Sequence, residues 1–287
     1  MPHRPWPLLI SAICALLLAC SCAPPVPESA KAFTEARNNL KFSDFDGALN
    51  NLDKVIKSAK DESIRQQAAV LRVALVTALA DADRQMAEAY YTGAQQPAAK
   101  SHSNPFYKLR SDYYSTANTL LMDSMQTVMN QRSKLSGNPM PLEVGFPSFT
   151  GTNPGLAKVK DGQLISDSDR LSAELQADRN AFAVVLSAIA GAGPDPNKGK
   201  EAFSSGKVDI DPRVYIIELS DSFLKTGAMF DAHGLNQLDH LHTVSEVVRG
   251  NLDVAMKLLA AKPDKDLEAR VKKMQADLEK PPKKKAK

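Results

Sequence analysis

Apolar residues recur at three- and four-residue spacing over most of the chain from residue 29 onward, the pattern of amphipathic helices. Phe33, Ala36 and Leu40 mark a first helix over 29–40. Ser43-Asp44 starts a second, carrying Ala48, Leu49, Leu52, Val55 and Ile56 on one face. After Asp61 the spacing predicts a long helix over 62–92, with a seam of Ile64, Ala68, Leu71, Leu75, Ala78, Ala82, Met86 and Ala89; Gly93 and Pro97 end it. Asn104-Pro105 combines a capping side chain with proline at a first helical position. The stripe Phe106, Leu109, Tyr113, Ala117, Leu120 and Val128 follows, and Gly137-Asn138-Pro139 stops it.

Residues 138–166 break the pattern, because Pro139, Pro141, Pro147 and Pro154 with Gly145, Gly151 and Gly155 do not sustain a helix. Within that insert, 158–165 predicts a tight β-hairpin turning at Asp161-Gly162, a pair that tolerates positive φ. Helical spacing resumes at Leu171, Leu175, Phe182, Leu186 and Ile189 and stops at Gly191–Pro194. Asp211-Pro212 starts a helix through Val214, Ile217, Phe223, Leu224 and Phe230; Leu238, Leu241, Val244, Val248, Leu252, Ala255 and Leu259 mark another. A last helix begins at Asp264 with Leu267, Val271, Met274 and Leu278, and Pro281-Pro282 ends it. The expectation is an all-α fold of about eight helices with one short hairpin, built as a helical-repeat-like array or an irregular bundle.

The first residues behave differently. Arg4 precedes an apolar run from Leu8 to Ala19, too short for a spanning helix, which needs about 20 apolar residues, and right for a secretory signal. Leu17-Leu18-Ala19-Cys20 resembles the lipobox of bacterial lipoproteins. The resemblance implies cleavage before Cys20, removal of 1–19 and diacylation of the Cys20 thiol. Cys22 is the alternative acceptor, but Ala19-Cys20-Ser21 before it lacks the leucine. Ser21 implies sorting to the outer membrane, with the protein facing the periplasm. Residues 20–28, with Pro24, Pro25 and Pro27, read as an extended spacer. All 3 cysteines fall within the first 22 residues, so the domain over 29–279 has no thiol for a disulfide or a metal.

Charge narrows the partners. The formal net charge is +3, yet Lys280, Lys283, Lys284, Lys285 and Lys287 lie in a terminal stretch, 280–287, expected to be disordered. Without that stretch the body carries more acids than bases, which argues against a nucleic-acid surface.

Residues 43–56 resemble the second helix of a tetratricopeptide repeat. Ala48 stands where that family needs a small residue at a close crossing, Leu52 and Val55 where it needs apolar ones, and Ala36 where it needs a small one on the preceding helix. Ala32, Glu35, Asn39 and Lys60 depart from the pattern, and one period later Ala82 falls in mid-helix with no turn before it, so a next repeat is absent or degenerate. The resemblance implies a protein-binding surface, and the polar faces of the first helices supply candidates: Thr34, Asn38 and Lys41 align, as do Arg65 and Arg72.

Catalytic chemistry finds little to work with. His233, His240 and His242 lie close to Asp231 and Asp239, but the pair at 240 and 242 is not spaced for one helix face. Gly193–Lys200 is one residue too long between its glycines for a phosphate loop and reads as a turn. Asp44/Asp46 and Asp264/Asp266 sit at helix starts, where the helix dipole accounts for them. No cofactor, metal or catalytic residue is expected. The reading is a lipid-anchored, non-catalytic module with an envelope protein as partner. The rival is a binding protein or transporter accessory component for a small apolar or amphipathic ligand, with 138–166 as its lid. Tyr113, Tyr114, Met122, Met125 and Met129 are either core or the lining of its channel.

Labelled fatty acid should enter the protein, and Cys20→Ala should abolish both labelling and membrane retention. Undiminished labelling of that variant would transfer the anchor to Cys22 or remove it.

Overall fold

Several helix starts are made by side chains, although the helix expected to be capped by Asn104 with Pro105 first begins instead at Ser103. Asp44 accepts from the Gly47 amide at 3.0 Å and Asp61 from those of Ser63 and Ile64 at 2.8 and 3.3 Å. Ser166 accepts from Asp169 at 3.1 Å, and Asp264 from Asp266 and Leu267 at 3.1 Å each. Each cap satisfies amides that have no partner inside their helix. The computed structural model describes residues 27–101, 103–232 and 238–280, and side chains there except over 229–242. Residues 20–26 of the spacer with Cys20, the 281–287 end and the side chains of His233, His240 and His242 lie outside that description, while Glu28, expected in the spacer, is the first residue of a helix.

Ten helices follow in order among the described residues. They are α1 (Glu28–Phe42), α2 (Phe45–Ser58), α3 (Glu62–Ala94), α4 (Ser103–Arg132), α5 (Pro154–Lys160), α6 (Asp167–Ile189), α7 (Pro196–Ala202), α8 (Pro212–Ala232), α9 (Leu238–Ala261) and α10 (Lys265–Glu279). Eight coincide with the expected helices. The additional α5 and α7 are one or two turns long, too short to show a hydrophobic period in the sequence. No helix of the described residues is long and apolar enough to cross a membrane.

The core is organised around α3. Val73, Ala74, Leu75, Val76, Thr77 and Ala78 are all buried, a run of more than one full turn, so the middle of this helix has no solvent face. It packs against α2, α4, α5, α6 and α8 as well as a strand, β1 (Met140–Glu143). In a repeat array each unit touches only its neighbours. Here α6 and α8 return to a helix far earlier in the chain, so the architecture is an irregular bundle. In the α1–α2 pair Ala36, Ala48, Leu52 and Val55 are completely buried.

One antiparallel strand pair is present, but not at the expected place. β1 pairs with β2 (Lys207–Ile210) in the register Met140↔Ile210 to Glu143↔Lys207. Residues 158–160, expected as a strand, are the last turn of α5. Leu156 and Val159, three apart on one helical face, are both buried. Gly162 does take a positive φ, +84°, as the Asp-Gly pair requires. It serves as a helix stop: Gly162 N–H donates to the Val159 carbonyl and Gln163 N–H to that of Lys158, at 3.0 and 3.1 Å.

On α6 the expected stripe is buried at Phe182, Leu186 and Ile189 and half-buried at Leu175, but its first member is not. Leu171 is 63% exposed, and Ala173, Ala177 and Ala181 form the buried row at i, i+4 and i+8. At Ala173 the row lies against α5, where a Cβ on Gly155 would stand 2.7 Å from the Ala173 methyl. Leu75→Asp or Leu52→Asp should unfold the protein, because an unpaired charge at a fully buried position costs several kcal/mol. Loss of the helical circular dichroism signal and of soluble yield checks this; an equally stable soluble variant would contradict it.

Candidate functional site

The four residues proposed as one binding surface divide into three environments. Asn38 and Lys41 are exposed on the last turns of α1. Lys41 Nζ lies 5.8 Å from the ring centre of Phe42, which is itself 73% exposed. The chain then turns sharply, with Ser43 at a left-handed φ of 61°. Arg179 Nε on α6 donates to Ser43 Oγ at 2.8 Å, and Phe45 meets Phe182 edge-on at 6.1 Å between ring centres. An exposed aromatic ring, a cation and an amide are thereby held on a corner anchored from both sides.

Arg65 pairs with Glu62 one turn away and borders a cleft of about 270 Å³, shared with Ile56, Val70, Lys134, Leu135 and Met140. Arg72 does not belong to a free surface. Its side chain is only 16% exposed; Nε reaches Asp53 at 2.6 Å, Nη2 reaches Asp123 at 3.0 Å, and Nη1 donates to Thr127 Oγ1 at 3.2 Å. These contacts tie α2, α3 and α4 together. Arg72 is therefore engaged inside the fold, whereas Arg65, seven residues earlier on the same helix, remains exposed.

A second cluster lies where α3 faces α6. Asp83 and Asp178 are half-buried and raised to about 7. Burial is the main cause for both. The charge of Glu174 adds to Asp83, and those of Asp83, Glu174 and Asp46 add to Asp178. Nearby cations are engaged elsewhere: Arg84 pairs with Asp81 and Glu88, and Arg170 with Asp167 and Glu174. The Tyr113 hydroxyl donates to Glu174, and its ring stacks on Tyr90 at 5.6 Å. Burial, followed by the bond to Glu174, pushes the Tyr113 phenol up.

The remaining candidates are structural. Asp44 and Asp264 are helix caps. Gly191 and Gly193 take positive φ in a turn, and Asp195 caps α7, so 193–200 is a turn and a short helix. Tyr113, Tyr114 and Met125 are buried in the core, while Met129 is 38% exposed. Among the described residues no group of three or more His, Cys, Asp or Glu side chains is placed to hold a metal ion.

The sequence reading passed over Phe42, Asp83 and Asp178. It also passed over a ring cluster of Phe146, Phe149 and Phe203, with centres 5.6 to 6.1 Å apart. Only the cluster left a trace in the sequence, Phe146-Pro147-Ser148-Phe149, an aromatic pair inside an otherwise proline- and glycine-rich insert. No protein-family model, curated protein or solved structure matches this chain.

The acidic pair makes stability depend on pH. Folded values near 7 exceed the ordinary carboxylate value of 3.8, so the folded protein binds the extra protons. Stability from these groups is fully present below pH 3.8 and is lost as pH rises through about 7. Asp178→Asn should therefore gain on the parent protein as pH increases, by on the order of 2 kcal/mol between pH 4 and 8. Urea unfolding of both proteins across that range measures it; a pH-independent difference would rule out the unpaired carboxylate.

Proposed function

We propose that the protein is a non-catalytic interaction module, held at the bacterial envelope by lipid on Cys20, on the periplasmic face of the outer membrane, and that the α1–α2 corner docks an envelope protein. The exposure of Phe42 beside Lys41 carries this reading. A large ring that is 73% exposed at a tethered turn gains nothing for the fold where it stands. Aromatic rings, phenylalanine among them, are enriched in the buried centres of protein interfaces. Asn38 and Lys41 keep the role expected of them, Phe42 joins them, and Arg65 lies at a separate cleft.

A photo-cross-linking residue at position 42 should capture an envelope protein in intact cells. Asn38→Ala/Lys41→Ala/Phe42→Ala should lose that protein, scored with a cross-linker at the exposed position 34 in both the parent protein and the variant. The melting temperature should hold, because exposed substitutions change stability by about 0.5 kcal/mol or less each. Undiminished capture by the triple variant would move the surface elsewhere.

A second reading, binding of a small amphipathic ligand, is favoured by the ring cluster of the insert, which forms one wall of a groove.

A further inference from the structure

Residues 144–150 of the insert are held at both ends. Val144 N–H donates to the Gly206 carbonyl at 3.2 Å, and Thr150 N–H donates to Asn180 Oδ1 on α6 at 3.0 Å. Between these ties the Phe146 ring meets Phe149 edge-on at 6.1 Å and Phe203 at 5.6 Å. Phe203 is buried, whereas Phe146 and Phe149 are half-exposed. The rings therefore have a fixed base and an open side.

Close approach at Gly199 completes the arrangement. A Cβ there would stand 1.8 Å from Ser187 Oγ and 2.9 Å from Phe146 Cζ, so only glycine lets α7 lie on α6 with Phe146 against it. This packing leaves a groove of about 710 Å³ between the insert and α7. Small-molecule sites commonly measure about 300–1,000 Å³ and combine apolar walls with a few polar groups. Here Ser148, Asn197 and Ser204 supply the polar groups, and among the described residues Lys200 is the one charged side chain in the lining and no carboxylate lines the groove.

We propose that this groove binds a small amphipathic anion, an apolar chain or ring with a single carboxylate or sulfonate, its body on Phe146 and Phe149 and its charge at Lys200. The apolar part gains by leaving water for surfaces that are already assembled, so little ordering cost opposes binding. The lone cation selects the sign of the polar end. This inference rests on the second reading above and is independent of the α1–α2 corner.

The test uses the mature chain, residues 20–287, produced where Cys20 is not acylated and free of detergent. Two fluorescent probes separate the contributions: 8-anilinonaphthalene-1-sulfonate and N-phenyl-1-naphthylamine, which share a ring system and differ by the sulfonate. The anionic probe should bind saturably at one site, about tenfold more tightly than the neutral one. Lys200→Ala should remove that preference and leave the neutral probe unchanged. Phe149→Ala should weaken both about tenfold. Lys200 is exposed, so its variant keeps the fold whatever becomes of Phe149→Ala. Decanoate and 3-phenylpropionate then compete with the bound probe: displacement by the first assigns an acyl chain, by the second an aromatic acid. Non-saturable binding, equal affinity for the two probes in the parent protein, or displacement by neither acid would overturn the proposal. Loss of partner capture at Phe42 would leave it standing.

Discussion

Burial of α3 on every side sets the terms for the rest of the molecule. A helix with one apolar stripe can face water with its remainder, but one covered around its middle must find an internal partner for each polar group it carries there. Thr77 finds Ser124 on α4, hydroxyl to hydroxyl at 2.6 Å. Arg72 finds Asp53 on α2 and Asp123 on α4. Leaving one of these unpaired would cost more than the bond itself contributes, because a buried polar atom gives up its water whether or not it is replaced. The same accounting makes Asp83 exceptional: it faces α6 across from other carboxylates, and protonation is what relieves it.

The alanine rows follow from this arrangement. Ala173, Ala177 and Ala181 on α6 and Ala36 and Ala48 on the α1–α2 pair are buried, and at Ala173 the facing residue on α5 is a glycine, Gly155. Several helices can surround one only if some of the contacts are thin. Larger residues then fill what remains, as Phe182 does between α6 and Phe45. Leu171 and Phe42 are the opposite case, since among the described residues no element covers them.

Two exposed features carry the functional proposals, and they lie on different supports. The corner at Phe42 is fixed by a left-handed residue and by Arg179 reaching from α6. The groove at Phe146 depends on backbone ties at Val144 and Thr150 and on the absent side chain of Gly199. A protein partner suits the first, a projecting ring on a rigid turn. A small molecule suits the second, a concave site with one charge.

Eight of the helices were legible because their determinants are local: apolar spacing, capping aspartates at 44, 61 and 264, and proline at a first helical position are written in adjacent residues. The propensity of Gly162 for positive φ was equally local, but whether that ends a helix or turns a hairpin was decided by the burial of Leu156 and Val159 against other parts of the chain. The strand pair was not legible, since residues 140 and 210 meet only after the helices between them have packed. Of the proposed surface, Asn38 and Lys41 are exposed as their helical face implied, whereas Arg72 has the same polar character and is internal. The sequence by itself determined that each helix has a face to bury. Which neighbour covers that face, and therefore which charged residue meets water and which meets a carboxylate, was decided by tertiary packing, because hydrophobic burial is non-directional and names no partner.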